Sequence, residues 1–312
     1  MSKMEKHAFG RTGLSVSGLG FGGAPIGYLE TDQQRISVVL NELLDAGVNV
    51  IDTAASYAGS EEAIGRAVGH RRADYVLVSK CGQAFDDVPG EAWSPAVISA
   101  TVDRALRRLK TDHLDVMLLH SCTLEVLQKG EALGALIGAR DAGKIRFAGY
   151  SGDNDAAAFA AASPEVTVVE MSINICDQSN IDRALAVARE HHVGVIAKRP
   201  VANTAWRPLD SLDGMYQAYA KAYHERFGAM GMTLEELGLD PSITDWTQVA
   251  LLFTLAQPGI ATAIVGTTNP DNARRNVETL ARGPLPEEAV AKIRAAFRSA
   301  QQRSGEPWPA LQ

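Results

Sequence analysis

Eight short apolar runs are spaced along this chain, and each is followed by a longer stretch with helical periodicity. The runs fall at about 17–21 (SGLGF), 47–51 (GVNVI), 75–79 (YVLVS), 115–119 (DVMLL), 145–150 (IRFAGY), 166–171 (VTVVEM), 193–197 (VGVIA) and 261–265 (ATAIV). Runs this short and this apolar suit strands covered on both faces. Between them, residues 32–46 place Ile36, Val39, Leu40 and Leu43 on one helical face. Residues 95–109 follow a Ser94-Pro95 cap signal and gather Ile98, Val102, Ala105, Leu106 and Leu109. Further helices are expected near 60–68, 124–141, 154–162, 179–191, 246–257 and 271–281, with a tail helix near 286–301.

Strands alternating with helices imply a parallel sheet with helical crossovers. Eight such units in 312 residues fit a closed (β/α)8, or TIM, barrel, read as one domain over 1–312. A doubly wound open sheet is the alternative. Against it, Gly18 and Gly20 lie inside the first apolar run rather than in a turn after it, and Gly22 and Gly23 lead into Ala-Pro. Residues 6–15 are expected to form a hairpin closing the barrel's bottom. Residues 201–245 form a long excursion after the seventh run, with a helix near 212–227. Loops this long in a barrel usually serve as a lid or a substrate wall.

A formal charge of −7 disfavours nonspecific nucleic-acid binding. No apolar run approaches the roughly 20 residues of a membrane helix, and the start, MSKMEKHAFG, has no apolar signal core. Three cysteines, Cys81, Cys122 and Cys176, make no disulfide framework. A cytoplasmic protein with reduced thiols is expected, with no metal centre; its oligomeric state is left open.

In such barrels, active sites lie at the C-terminal strand ends. The second run ends in Asp52, the third in Lys80 and the fourth in His120. Neighbouring strands let these side chains converge, and Tyr57, on the loop after the second run, can fold over the same mouth. A phenol is a poor acid at neutral pH unless its anion is stabilised. A lysine cation beside it would lower its pKa, and a carboxylate would keep that lysine charged. A neutral histidine donates a further hydrogen bond. Together they make a general acid for a carbonyl oxygen. The group has no reductant, so a cofactor must carry hydride.

The sequence resembles the aldo-keto reductase superfamily in FGRTGLSVSGLGFGG (9–23), GVNVIDTAASYAGSEEAIGRAV (47–68), LVSKCG (77–82), ALRRLKTDHLDVMLLH (105–120), GKIRFAGYS (143–151) and IVGTTNPDNARRNVE (264–278). The resemblance implies NAD(P)H-dependent carbonyl reduction, with Tyr57 as acid and Asp52, Lys80 and His120 supporting it. It also implies cofactor contacts at Gly22, Gly23, Ser151, Gly152, Glu170, Lys198, Arg199, Gly266, Thr267, Thr268, Asn269, Arg275 and Asn276. Three of these depart from the family pattern. Gly152 replaces an Asn, Glu170 a Gln, and Lys198, within the KRP segment 198–200, an aromatic. An ion pair between Glu170 and Lys198 is expected to replace the Gln and aromatic. Gly266 to Asn269 precede Pro270 at a helix start, an anion-binding arrangement. An arginine just beyond favours NADPH, and NADH stays admissible because the usual basic residue is missing at Gly266 and Asn272.

The substrate is expected to be a small carbonyl compound or alcohol. Tyr28, Trp93, Arg199 and Trp206 are candidates for the pocket wall. Cys81, Cys122 and Cys176 are all expected at the catalytic rim. Two competing readings are a metal-dependent barrel hydrolase or lyase and a non-catalytic cofactor-binding barrel.

Overall fold

The computed structural model describes residues 4–29, 32–212 and 214–311. An antiparallel hairpin, β1 (Lys6–Ala8) with β2 (Ser15–Ser17), precedes eight parallel strands. These are β3 (Leu19–Gly22), β4 (Val50–Asp52), β5 (Val76–Cys81), β6 (Leu114–His120), β7 (Ile145–Ser151), β8 (Val168–Ser172), β9 (Gly194–Lys198) and β10 (Thr262–Val265). They pair in chain order, and β10 returns to pair with β3, so the sheet closes into the expected (β/α)8 barrel. Each apolar run supplies one strand, though those at 17–21, 47–51 and 166–171 begin two or three residues later than expected, at Leu19, Val50 and Val168.

The helices are α1 (Ala24–Tyr28), α2 (Gln33–Asp45), α3 (Ser60–Val68), α4 (Pro95–Leu109), α5 (Leu124–Lys129), α6 (Glu131–Asp141), α7 (Asn154–Ala162), α8 (Ser179–Asp182), α9 (Ala184–Glu190), α10 (Gly214–Met230), α11 (Trp246–Leu255), α12 (Pro270–Leu280) and α13 (Glu287–Ser304). The expected α4 boundaries hold, with the Ser94 hydroxyl accepting from the Val97 amide. Two helices expected as continuous are broken. Gly130, at φ 76°, separates α5 from α6. Arg183, at φ −119° and ψ −92°, separates α8 from α9. No helix among the described residues is long and apolar enough to cross a membrane.

Strand side chains alternate between faces, and here the alternation sorts the chemistry. One parity puts Leu77, Met117, Leu119, Val169, Met171 and Val195 into the layer between barrel and helices. The other sends Val50, Val76, Val78, Val116, Leu118, Val168 and Ile196 into the barrel interior. Each inward series is apolar low in the barrel and continues upward into a polar residue: Asp52, Lys80, His120, Glu170 and Lys198. The top layer of the interior is therefore chemical rather than apolar.

The bottom is closed, as expected, by the N-terminal hairpin. Phe9, fully buried, joins the interior cluster. The Arg11 guanidinium donates to the carbonyls of His191 (2.8 Å), Pro164 (2.9 Å) and Val166 (2.7 Å), at the lower ends of β8 and β9. A second apolar cluster, including Tyr223, Phe253, Ile293 and Phe297, joins α10, α11 and α13. It mounts the long segment after β9 beside the barrel's mouth. Residue 213, within the helix expected at 212–227, lies outside the described residues, as do 1–3 of the charged N-terminal stretch.

Candidate active site

A cleft of about 700 Å³ opens at the C-terminal ends of the strands, lined among others by Tyr57, His120, Ser151 and Glu170. Beneath it, Lys80 lies 1 % exposed. Its amine donates to both oxygens of Asp52, at 2.5 and 2.7 Å, and to the Thr53 carbonyl at 3.0 Å. The same amine stands 5.3 Å from the centre of the Tyr57 ring. The rings of Tyr57 and His120 meet edge-on at 6.0 Å, and Tyr28 packs on the other edge of Tyr57 at 5.5 Å. Asp52, Tyr57, Lys80 and His120 are thus brought together at one point. The closed barrel makes this possible, because β4, β5 and β6 are neighbours and present the same parity.

Burial works against the charge on Lys80, but Asp52 and Glu170 outweigh it and hold the amine above the usual lysine range. Burial pushes Asp52 well above the usual carboxylate range; Glu170 adds to the rise and Lys80 opposes it. Burial, followed by the cations Lys80, Lys198 and Arg199, holds His120 well below its ordinary value, so the imidazole is neutral at pH 7. The Ser56 hydroxyl lies 3.4 Å from its Nδ1. For Tyr57 the outcome differs from the expectation. Lys80 does pull its pKa down, but burial is the larger effect and the phenol ends above its ordinary value. It is therefore fully protonated at neutral pH, the form a proton donor requires.

The expected ion pair between Glu170 and Lys198 does not form. In the β8–β9 register Glu170 faces Ile196, while Lys198 faces Ser172, one inward position higher. Lys198 instead pairs with Asp153 at 3.0 Å. Asp153 also accepts from the Ser172 amide and the Asn180 side chain. Glu170 accepts from the Ser151 hydroxyl at 3.1 Å and lies 3.4 Å from the Lys80 amine.

Of the other expected cofactor contacts, Gly22, Ser151, Arg199 and the run Gly266, Thr267, Thr268 and Asn269 line the cleft. The Arg199 guanidinium donates to the Leu311 carbonyl at 2.5 Å and lies over the Tyr219 ring. Asn269 caps α12, accepting from the Asp271 amide at 2.9 Å. Gly23, Gly152, Arg275 and Asn276 are not part of the cleft wall. A Cβ on Gly23 would fall 2.8 Å from the Ser60 hydroxyl, and one on Gly152 would fall 2.2 Å from the Tyr150 hydroxyl. Close packing therefore requires glycine at both. Arg275 is exposed on α12, and Asn276 is buried behind it.

Of the expected wall residues, Tyr28 takes part and Trp93 and Trp206 do not. Trp93 packs over Gly82, and Trp206 against Phe227. The cysteines also depart from expectation, since all three are buried away from the cleft. Cys81 follows Lys80 and so takes the opposite parity; it and Cys122 join the layer beneath the helices, and Cys176 joins the second cluster. Burial pushes the Cys122 thiol up to about 12. Residues missed in the sequence include Gln83, Arg207, Tyr216 and Tyr219 in the wall. The spacing of Tyr216 and Tyr219 along α10 was the signal for those two, and nothing in the sequence marked Gln83 or Arg207.

The sequence-family pattern for the aldo/keto reductase family matches residues 18–298. An uncharacterized oxidoreductase of Bacillus subtilis is 30% identical over 303 residues, covering 94% of this chain and 96% of its own. L-galactose dehydrogenase of Arabidopsis thaliana is 26% identical, covering 89% of this chain and 88% of its own. A solved aldo-keto reductase of Bacillus halodurans, in its holo form, superposes with a TM-score of 0.80 at 28% identity, covering 94% of this chain and 96% of its own.

Proposed function

The chain belongs to the aldo/keto reductase family, and on that premise we propose that it is a cytoplasmic, NADPH-dependent reductase of aldehydes or ketones. It works reversibly as an alcohol or sugar dehydrogenase, with Tyr57 as proton donor. The observation that carries this reading is the buried Lys80–Asp52 pair, with the amine 5.3 Å from the Tyr57 ring and His120 at the ring's edge.

The residues present fit a nicotinamide dinucleotide. The cleft lies within the usual range of ligand sites. Gly22 leaves open a strand-end position where a side chain would project beside Gly266. The capped N-terminus of α12 directs backbone donors and a helix dipole toward the cleft, where phosphates would sit. Arg274 is engaged by Glu42 and Asp271. Arg275 is exposed with no ion pair among the described residues, and is the cation we assign to a 2′-phosphate.

NADPH, when bound, supplies the hydride. The chain's own residues do the rest. The neutral His120 and the Tyr57 hydroxyl hold the carbonyl oxygen, and polarise it by hydrogen bonding. As negative charge grows on that oxygen, Tyr57 gives it the proton. The Lys80 cation stabilises the tyrosinate left behind, and Asp52 keeps that cation in place. The apolar interior layer below excludes water from the pair.

The test is fluorescence titration with NADPH and NADH, followed by a carbonyl panel read at the nicotinamide absorbance band. NADPH binding and turnover of at least one small aldehyde or ketone are expected. Failure of both nucleotides to bind would sink the proposal.

A further inference from the structure

Lys80 has three N–H donors, and all three are in use: two go to Asp52 and one to the Thr53 carbonyl. Glu170, 2 % exposed, stands 3.4 Å from the same amine. Its Oε1 accepts from Ser151, but its Oε2 is buried without a hydrogen-bond partner among the described residues. Two carboxyl groups thus face a single cation that donates to only one of them. If both were ionised, a net negative charge would be left on groups that are almost wholly buried, which is costly unless a proton joins the pair.

Hydride transfer places the nicotinamide ring in contact with a carbonyl group held at Tyr57 and His120. Glu170 lines the same cleft. The charge of the oxidised ring would therefore develop beside the pair. We propose that the Asp52–Glu170 pair holds one proton while the bound nicotinamide is reduced and neutral, and gives it up when the ring is oxidised and cationic. This rests on the cofactor reading above. Binding the oxidised nucleotide then releases one proton to solvent, and binding the reduced nucleotide releases none.

The other groups facing the pair hold their charge. Tyr57, beside β4, and Tyr28, on α1, are kept neutral chiefly by burial, and so is His120 on β6. Lys80 on β5 stays charged between its acids. At the end of β9, Lys198 is matched by Asp153 from the loop after β7, and Arg199 is held by the Leu311 carbonyl. The carboxyl pair is what remains to respond.

The experiment measures dissociation constants of NADPH and NADP⁺ between pH 6 and 9, for the parent and for Glu170→Gln. The 2′-phosphate titrates in both nucleotides and cancels in the ratio. As pH rises, NADP⁺ should tighten relative to NADPH, by up to about tenfold per pH unit. Glu170→Gln should bind both nucleotides with a ratio independent of pH. Calorimetry of the parent in buffers of different ionisation enthalpy gives a reading free of any folding defect in the variant. It should find about one proton released with NADP⁺ and none with NADPH at the acid end. Both nucleotides binding at a pH-independent ratio, or a slope surviving in Glu170→Gln, overturns this coupling alone. Failure of both to bind overturns the cofactor reading together with it.

Discussion

The Lys80 amine reaches both carboxylate oxygens of Asp52, at 2.5 and 2.7 Å, and neither residue is more than 1 % exposed. Removing the cation would leave Asp52 and Glu170 buried with no counter-charge. Lys80→Met is expected to lose about 3–5 kcal/mol of stability at pH 8, as read by urea denaturation. Part of the loss should return at pH 5, where the buried Asp52 carboxyl, raised above the usual carboxylate range, takes up a proton. A variant as stable as the parent at pH 8 would show that the pair carries no structural weight.

Tyr57→Phe keeps the ring that packs between Tyr28 and His120. Nucleotide affinity should stay near that of the parent, while turnover of a carbonyl substrate falls by about 10²–10⁴-fold. Full turnover in this variant would remove Tyr57 as the acid.

Gly152 sits where the family usually carries an asparagine, and a Cβ there would fall 2.2 Å from the Tyr150 hydroxyl. That hydroxyl is buried and donates to the Cys122 carbonyl at 2.9 Å. Gly152→Asn should therefore not restore a cofactor contact. It is expected to cost about 1–3 kcal/mol through overpacking, and Gly152→Ala should cost a similar amount in thermal melts.

Asp177 is fully buried, accepting from the Tyr223 hydroxyl at 2.9 Å and the Leu311 amide at 3.0 Å. Burial pushes its carboxyl up to about 7. The folded chain thus keeps a proton that the unfolded chain releases near pH 4. Its contribution is greatest below that value, declines as pH rises toward 7, and is level above. The difference amounts to at most about 4 kcal/mol. Asp177→Asn should melt higher than the parent at pH 8, with the gap narrowing at pH 5. A gap that widens at pH 5 would contradict the assignment.

Arg275 is the exposed cation assigned to a 2′-phosphate. Arg275→Ala should weaken NADPH about tenfold, the loss of one charge-assisted hydrogen bond, and leave NADH unchanged. Equal effects on both nucleotides would remove the assignment.

Local order in the sequence was enough for the strands, most helices and the gathering of Asp52, Lys80 and His120 around Tyr57. Apolar runs of strand length and turns of helical spacing are written between near neighbours, and a strand's last residue can be read without knowing its partner. The break at Arg183 was hidden because Ile181, Leu185 and Ala188 keep helical spacing across it, whereas Gly130 itself stands at the other break. What closure of the barrel decided is which side chain faces which. The β8–β9 register sent Lys198 to Asp153 rather than to Glu170. Strand parity turned Cys81 away from the mouth that Lys80 faces. Packing made Gly152 a steric necessity rather than a lost contact. Such pairings join residues far apart in the chain across a curved sheet, and their geometry exists only once the eighth strand has met the first.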